Sequence, residues 1–438
     1  MFELYQHQKV ALAHLRMHNE FALFMEQGTG KTLTVLSRIA ELLESGKAHT
    51  ALIVCPKAVM GSWERDCEKF EPGTAKRLRE GLTVINYDKI WRRDEYRKHW
   101  DIIVLDESHK IKSHTTRRGK CLLEMALDSD YRYILTGTPI SNGQLENIWA
   151  QFAFLKPYVS RGRVYSEIFG GSYYNWLDRY AFLDQWHKPY RYRFVDELQD
   201  IINQYSYRVT KAECLDLPDK LPEEMWDIEL LDKKRYRELH KDSTISDMDV
   251  LAENALARMT KLRQFCSGWV RTDSGDVEVK CEKVEALNDF LDGYGDKKLA
   301  IFCEFRKSID TVCGVLEKRG IKHVVLDGRT EDKSVWKLFQ TEPEIQVIVC
   351  QYQSANAGID LYAADTMLFY EPTLSSNVYE QSKDRIHRIG QTSKCSYVCF
   401  RTKGTIEGYI YNALRGYADF GAKLFTQYMK EYQKGGKS

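Results

Sequence analysis

One segment constrains this chain most. An apolar run, Phe21 to Met25, leads into Gly28-Thr29-Gly30-Lys31-Thr32, and apolar residues then recur at Leu33, Leu36, Ile39 and Leu42. That order predicts strand, glycine loop and helix, the context a phosphate-binding loop requires. Gly28 and Gly30 let backbone N–H groups close around phosphate oxygens, with Gln27 and Thr29 in the same turn. Lys31 is suited to neutralise β/γ-phosphates, the Thr32 hydroxyl to ligate Mg²⁺, and the helix N-terminus adds a favourable field. The strict pattern wants glycine where Met25 stands. On this segment alone, the competing reading is a flexible Gly-Thr-Gly turn without a ligand.

A second segment, "WDIIVLDESHKIKS" (100–113), carries an apolar run, Ile102 to Leu105, ending in Asp106-Glu107. A continuous apolar run fits a parallel strand covered on both faces. Carboxylates at its C-terminal end lie where doubly wound sheets bind ligands. Asp106 is then the Mg²⁺ residue, through water, and Glu107 orients or deprotonates the attacking water. A third segment, "QSKDRIHRIGQT" (381–392), spaces Arg385 and Arg388 three apart, which predicts a helix with both on one face. Such a face is ordinarily just solvated. Facing a bound triphosphate, it supplies the guanidinium groups that phosphoryl transfer uses.

The chain has 438 residues, enough for two or three domains, with 43% apolar and 29% charged residues. No apolar run reaches the length of a membrane span, and the opening residues lack a signal-peptide pattern. The eleven cysteines include no CxxC pair, so neither a zinc site nor a disulfide framework is expected. The expected setting is intracellular: the cytoplasm of a bacterial or virus-infected cell, or the nucleus of a eukaryotic one. A net charge of +1 neither supports nor excludes nucleic acid, because local patches decide binding.

Taken together, these and further segments resemble the Swi/Snf-type DNA translocases of helicase superfamily two. "DESH" (106–109) resembles the DEAH-type motif, with Ser108 where alanine is usual. "LYQHQ" (4–8) resembles the glutamine motif, "ALIVCPKAVMGSW" (51–63) a DNA-contacting motif, "YILTGTPISN" (133–142) the third motif and "VIVCQYQSANAGIDL" (347–361) the fifth. "RVTKAECLDLPDKLPEE" (208–224) is similar to the family's lobe-linking segment, and the arginine segment to its sixth motif. Met25, Asp360 in place of asparagine, and Leu374-Ser375-Ser376 in place of Trp-Asn-Pro mark a compact, divergent branch of phage or bacterial type, with no chromatin-reading appendage expected.

The resemblance implies an α/β chain of two RecA-like doubly wound parallel-sheet lobes, with helical insertions and a C-terminal helical brace. Lobe one is expected at 1–220 with an insertion at about 145–206, and lobe two at 221–438 with an insertion at about 230–295. The brace is expected at about 405–432, and "HKDSTISDMDV" (240–250) as a mobile loop. Gln8 is implied to read adenine, Gly358 and Asp360 to touch nucleotide, and Gln381 to sense it, while Arg385 and Arg388 reach the γ-phosphate held by the other lobe. Lys57, Thr136, Gly328, Arg329, Thr330 and Ser354 are implied DNA contacts, sequence-independent and salt-sensitive.

Residues 151–194 hold 14 aromatics and seven Lys/Arg against three acids. They are read either as a helical core roofed by cationic stems or as a DNA contact through Arg161, Arg163, Arg191 and Arg193. The expected activity is ATP-driven translocation on double-stranded or branched DNA, in fork remodelling, branch migration or protein displacement. A strand-separating DNA or RNA helicase and an ATP-gated DNA clamp are the alternatives.

Overall fold

The computed structural model describes residues 2–140, 143–215, 217–245, 248, 250–355 and 359–435. They form two compact units, Met1–Asp216 and Leu217–Ser438. Among the described residues no helix is long and apolar enough to cross a membrane.

The first unit contains, in chain order, β1 (Glu20–Met25), β2 (Ala51–Cys55), β3 (Leu82–Asn86), β4 (Ile102–Asp106) and β5 (Tyr131–Leu135). Two short pairs follow, β6 (Pro157–Ser160) with β7 (Arg163–Ser166) and β8 (Ala181–Leu183) with β9 (Pro189–Tyr192), and then β10 (Ser206–Val209). Six strands make one sheet, ordered β10-β1-β5-β4-β2-β3, parallel throughout. Strand alternation sends Leu23, Met25, Ile53 and Val104 to one face, under the helices Gln6–Met17 and Lys31–Glu44. Phe24, Val54, Ile103 and Leu105 go to the other, under Arg117–Ala126 and Asn147–Leu155. Both faces are covered, which is why the strands read as unbroken apolar runs. Because β1, β5 and β4 are neighbours, the loops that follow them meet at one end of the sheet.

The insertion expected to be helical is mixed. It opens on Asn147–Leu155, a helix whose nine residues are all buried, and continues through two antiparallel hairpins. Arg161 and Gly162 both have positive φ (49° and 71°), the signature of a tight two-residue hairpin turn.

The second unit contains β11 (Glu224–Ile228), β12 (Thr244–Ile245), β13 (Val250–Leu251), β14 (Trp269–Thr272), β15 (Gly275–Glu278), β16 (Leu299–Cys303), β17 (His323–Leu326), β18 (Val347–Gln351), β19 (Thr366–Phe369) and β20 (Ser396–Thr402). Its sheet, ordered β11-β20-β19-β16-β18-β17, is also parallel throughout. The insertion expected to be helical again includes strands. Helices Lys233–Asp242, Ala255–Cys266 and Lys283–Tyr294 alternate with the ribbons β12–β13 and β14–β15. The segment expected as a loop is helix to Asp242, and then Thr244 and Ile245 pair with Leu251 and Val250; residues 246, 247 and 249 lie outside the described residues.

Helices Ile406–Arg415 and Ala422–Gly435 stand where the brace was expected. The second packs on its own unit: the Tyr428 hydroxyl lies 3.0 Å from that of Tyr236 and its ring 4.8 Å from Tyr409, and the Tyr432 ring lies 4.1 Å from His240. A fully buried ion pair, Lys283 Nζ to Glu407 Oε1 at 2.6 Å, ties the insertion to Ile406–Arg415.

Candidate nucleotide site

Gly28 and Gly30 take left-handed backbone angles (φ 86° and 84°) and end the turn at the N-terminus of Lys31–Glu44. The loop is clamped from Gln6–Met17. His7 Nε2 lies 2.8 Å from the Thr29 carbonyl, and Gln8 Nε2 donates to the same oxygen at 3.1 Å. A Cβ at position 30 would displace the Gln8 amide, 1.8 Å away, and the φ of 84° strains any other residue there. Gln8, implied to read adenine, thus has its amide engaged at both ends, since Oε1 accepts from the Tyr5 N–H at 2.9 Å. Lys31 Nζ donates to the carbonyls of Met25 (2.7 Å) and Glu26 (3.1 Å). Met25 itself is the last residue of β1, fully buried and paired with Val209. The glycine of the strict pattern is missing because the strand continues through that position. Gln27 Oε1 is buried without a hydrogen-bond partner among the described residues, a polar atom turned inward beside the loop.

At the end of β4, Asp106 Oδ2 accepts from Trp63 Nε1 at 2.9 Å, and its carbonyl accepts from the Tyr87 hydroxyl at 2.8 Å. Burial, reinforced by the Glu107 charge, pushes the Asp106 carboxyl up to about 6. Burial pushes Glu107 the same way, but the hydrogen bond and charge of His109, then Lys31 and Thr136, outweigh it and hold Glu107 below the usual range. His109 Nδ1 lies 3.2 Å from Glu107 Oε2, and the Thr136 hydroxyl donates to that oxygen at 3.3 Å. Glu107 has a left-handed backbone (φ 55°, ψ 53°). Such strain costs on the order of 1–3 kcal/mol and recurs at functional sites. Ser108, the departure from alanine, donates to Gln151 Oε1 at 2.6 Å, and Gln151 donates in turn to the Pro139 carbonyl at 2.7 Å.

Two adjacent, half-buried carboxylates with separate partners suit one to hold a cation and the other to act on water. The donor set fits a divalent ion: a buried carboxylate beside a like charge is the kind of group such an ion stabilises in ionised form. Asp106, with the Thr32 hydroxyl at the head of the helix, would hold it. Trp63, His7 and Gln151 escaped the sequence reading. Trp63 lies in a quoted motif, but nothing in the sequence showed that its β2 segment neighbours β4.

In the second unit the helix Ser376–Lys383 carries Gln381, half-buried, and stops before the arginines. The expectation of one helical face is therefore corrected. Arg385 and Arg388 lie in a turn, and they converge because both donate to the Ile359 carbonyl, at 3.5 and 3.1 Å. The turn is pinned by Gln391 Nε2, which donates to the carbonyls of Ala364 (2.8 Å) and Ile386 (3.1 Å). Arg385 is buried, while Arg388 pairs with Asp360 at 2.5 Å. Asp360, implied to touch nucleotide, is thus engaged with the arginine. Gly358 lies outside the described residues.

The implied DNA contacts divide. Thr136 is fully buried against Glu107 and has no surface to offer a nucleic acid. Lys57, Arg161, Arg163 and Arg191 are exposed, and Arg193 and Ser354 partly so. Arg329 is bound to Asp310 at 2.7 Å and Asp327 at 2.6 Å, and Thr330 donates to the Val325 carbonyl at 3.1 Å. Gly328 leaves room for Arg306, whose Nη2 would be 2.7 Å from a Cβ there.

The SNF2-related domain model matches residues 76–268 and the helicase conserved C-terminal domain model residues 282–390, while the model for the res subunit of type III restriction enzymes matches 1–141. The chain is 25% identical over 513 residues to the DNA excision repair protein ERCC-6-like of Danio rerio, covering 93% of this chain and 35% of that protein. It is 26% identical over 434 residues to the uncharacterized ATP-dependent helicase MG018 of Mycoplasma genitalium, covering 92% and 40%. The chain thus spans about two fifths or less of the length of these relatives. It is also similar to the Sulfolobus solfataricus SWI2/SNF2 ATPase core in complex with dsDNA, with a TM-score of 0.45 and 24% identity, covering 97% of this chain and 92% of that one. With the SNF2-related and helicase conserved C-terminal domain models following one another along it, the chain carries an SNF2-related ATPase core of helicase superfamily two.

Proposed function

We propose that the chain is the motor of a DNA-stimulated ATPase that moves along double-stranded or branched DNA. One observation carries the ATPase reading: Asp106 and Glu107, half-buried side by side at the end of β4, have separate partners, the Trp63 indole for the first and His109 and Thr136 for the second. That division of labour is what hydrolysis of a bound nucleotide needs, with one carboxylate for the cation and one for water. Mg²⁺ supplies charge neutralisation at the phosphates. The protein's own part is to wrap them with the 27–31 backbone, hold Lys31 beside them, and keep Glu107 ionised through His109 and Thr136. Arg385 and Arg388 are the guanidinium groups suited to stabilise charge on a transferred phosphoryl group.

The DNA half of the reading is supported by family membership and by the exposed cations Lys57, Arg161 and Arg163. These suit phosphate contacts that position without reading sequence. Movement of one unit relative to the other during turnover would supply translocation. The test is ATP hydrolysis without nucleic acid and with single-stranded, duplex, forked and four-way DNA and with RNA. Stimulation by duplex or branched DNA that weakens as salt rises is the expected result. Stimulation by RNA alone, or by nothing, contradicts the proposal.

A further inference from the structure

We propose that the β8–β9 hairpin is a stacking site for unpaired nucleobases, with Trp186 at its apex, so that the chain holds duplex DNA bearing a single-stranded arm more tightly than plain duplex. This rests on the DNA-motor reading above and names the substrate feature that reading leaves open.

The hairpin tip is built rather than loose. Asp184 Oδ1 accepts from the backbone N–H groups of Trp186 (2.8 Å) and Lys188 (2.9 Å). Asp184 N–H donates to the Lys188 carbonyl at 2.9 Å, and His187 N–H to the Asp184 carbonyl at 3.0 Å. His187 completes the turn with a positive φ of 55°. This ordered tip presents an indole that is 72% exposed. The fold does not require it there, because the hairpin's inward face is satisfied without it: Ala181 is buried and the Tyr192 hydroxyl is bonded to Glu146.

The outward face is aromatic and cationic. A register shift between Phe182 and Leu183 breaks the alternation, and the Tyr190 ring comes within 6.4 Å of Phe182. Tyr190 is 68% exposed. Arg193 lies 5.1 Å and Arg191 5.9 Å from the Phe182 ring centroid. Arg193 is oriented by the backbone carbonyls of Arg179 and Asp178, neutral acceptors that leave its charge intact. Of the nearby acids, Asp184 is bonded at the tip, Glu146 to Tyr192, and Glu197 to Arg179 and Tyr180, while Asp178 and Asp196 lie close in sequence. The patch therefore offers aromatic rings and guanidinium groups together. A duplex has already stacked its bases and shows mainly phosphates, which would use the arginines and leave the rings idle. An unpaired strand offers phosphates and open base faces, and uses both.

The test is fluorescence anisotropy with the full chain and three labelled DNAs: a blunt duplex, the same duplex with a single-stranded arm, and that DNA with an abasic arm. The wild type is expected to bind the armed duplex about tenfold tighter than the blunt one, the effect of roughly one base stack. The abasic arm should lose that gain. Trp186→Ala should lose it too, with blunt-duplex affinity and duplex-stimulated hydrolysis unchanged, while Trp186→Phe keeps most of it. An arm preference that survives Trp186→Ala, or an abasic arm that binds like a normal one, overturns the inference while leaving the motor reading intact. Failure to bind or respond to any DNA overturns the motor reading itself, and the inference with it.

Discussion

At the scale of single residues, the site depends on side chains outside its most visible motifs. Trp63 is fully buried and gives its indole N–H to Asp106. That bond orients the carboxylate that suits a cation, and a hydrogen bond to a charged group is worth about 1.5–3 kcal/mol. Trp63→Phe keeps the ring in the core and removes only the donor. It should raise the Mg²⁺ concentration for half-maximal ATP hydrolysis by roughly 10- to 100-fold, with nucleotide binding in the absence of Mg²⁺ unchanged. An unaltered Mg²⁺ dependence would show that Trp63 serves packing alone. The glycine loop was legible because Gly28 and Gly30 answer to backbone angles that few other residues adopt. His7 and Gln151 were not, because their partners lie more than a helix away in sequence and only the fold brings them close.

At the scale of elements, the arginine turn of the second unit carries an Arg388–Asp360 ion pair, which in the proposed motor would have to yield for Arg388 to act on a phosphate. Arg388 and Asp360 are partly exposed, and such a pair is worth about 1 kcal/mol at most. Asp360→Asn should therefore raise kcat for ATP hydrolysis by up to about fivefold, and a fall in kcat would show that the carboxylate instead serves turnover. The Lys283–Glu407 pair is a different case, because both groups are fully buried and Glu407 also accepts from the Thr402 N–H at 2.7 Å. Glu407→Ala leaves an ammonium without its counter-charge, which should cost about 3–5 kcal/mol. Hydrogen exchange should then speed up in β16, β19 and β20 and not in β1 or β4. Central strands such as β2, β4, β16 and β18 were legible because burial on both faces makes them apolar throughout. β10 and β11, at the sheet edges, mix exposed and buried residues and gave no such run. The turn at Arg385–Arg388 was read as helix because charge spacing cannot distinguish a helix from a turn pinned by a distant carbonyl.

At the scale of the whole molecule, the proposed motor draws on residues of both parallel sheets. The first unit holds the glycine loop and the paired carboxylates, and the second the converging arginines. The proposed motor uses both sets, the carboxylates for cation and water and the arginines for charge on the phosphoryl group. The measurement that tests this most directly compares Glu107→Gln, in the first unit, with Arg388→Ala, in the second. Nucleotide affinity and duplex-stimulated hydrolysis are to be measured for each against the wild type. Both variants should bind ATP within a few-fold of the wild type, and both should lose on the order of 10³-fold in hydrolysis. Hydrolysis by Arg388→Ala at the wild-type rate would contradict the account, because the first unit would then be turning over nucleotide without the second.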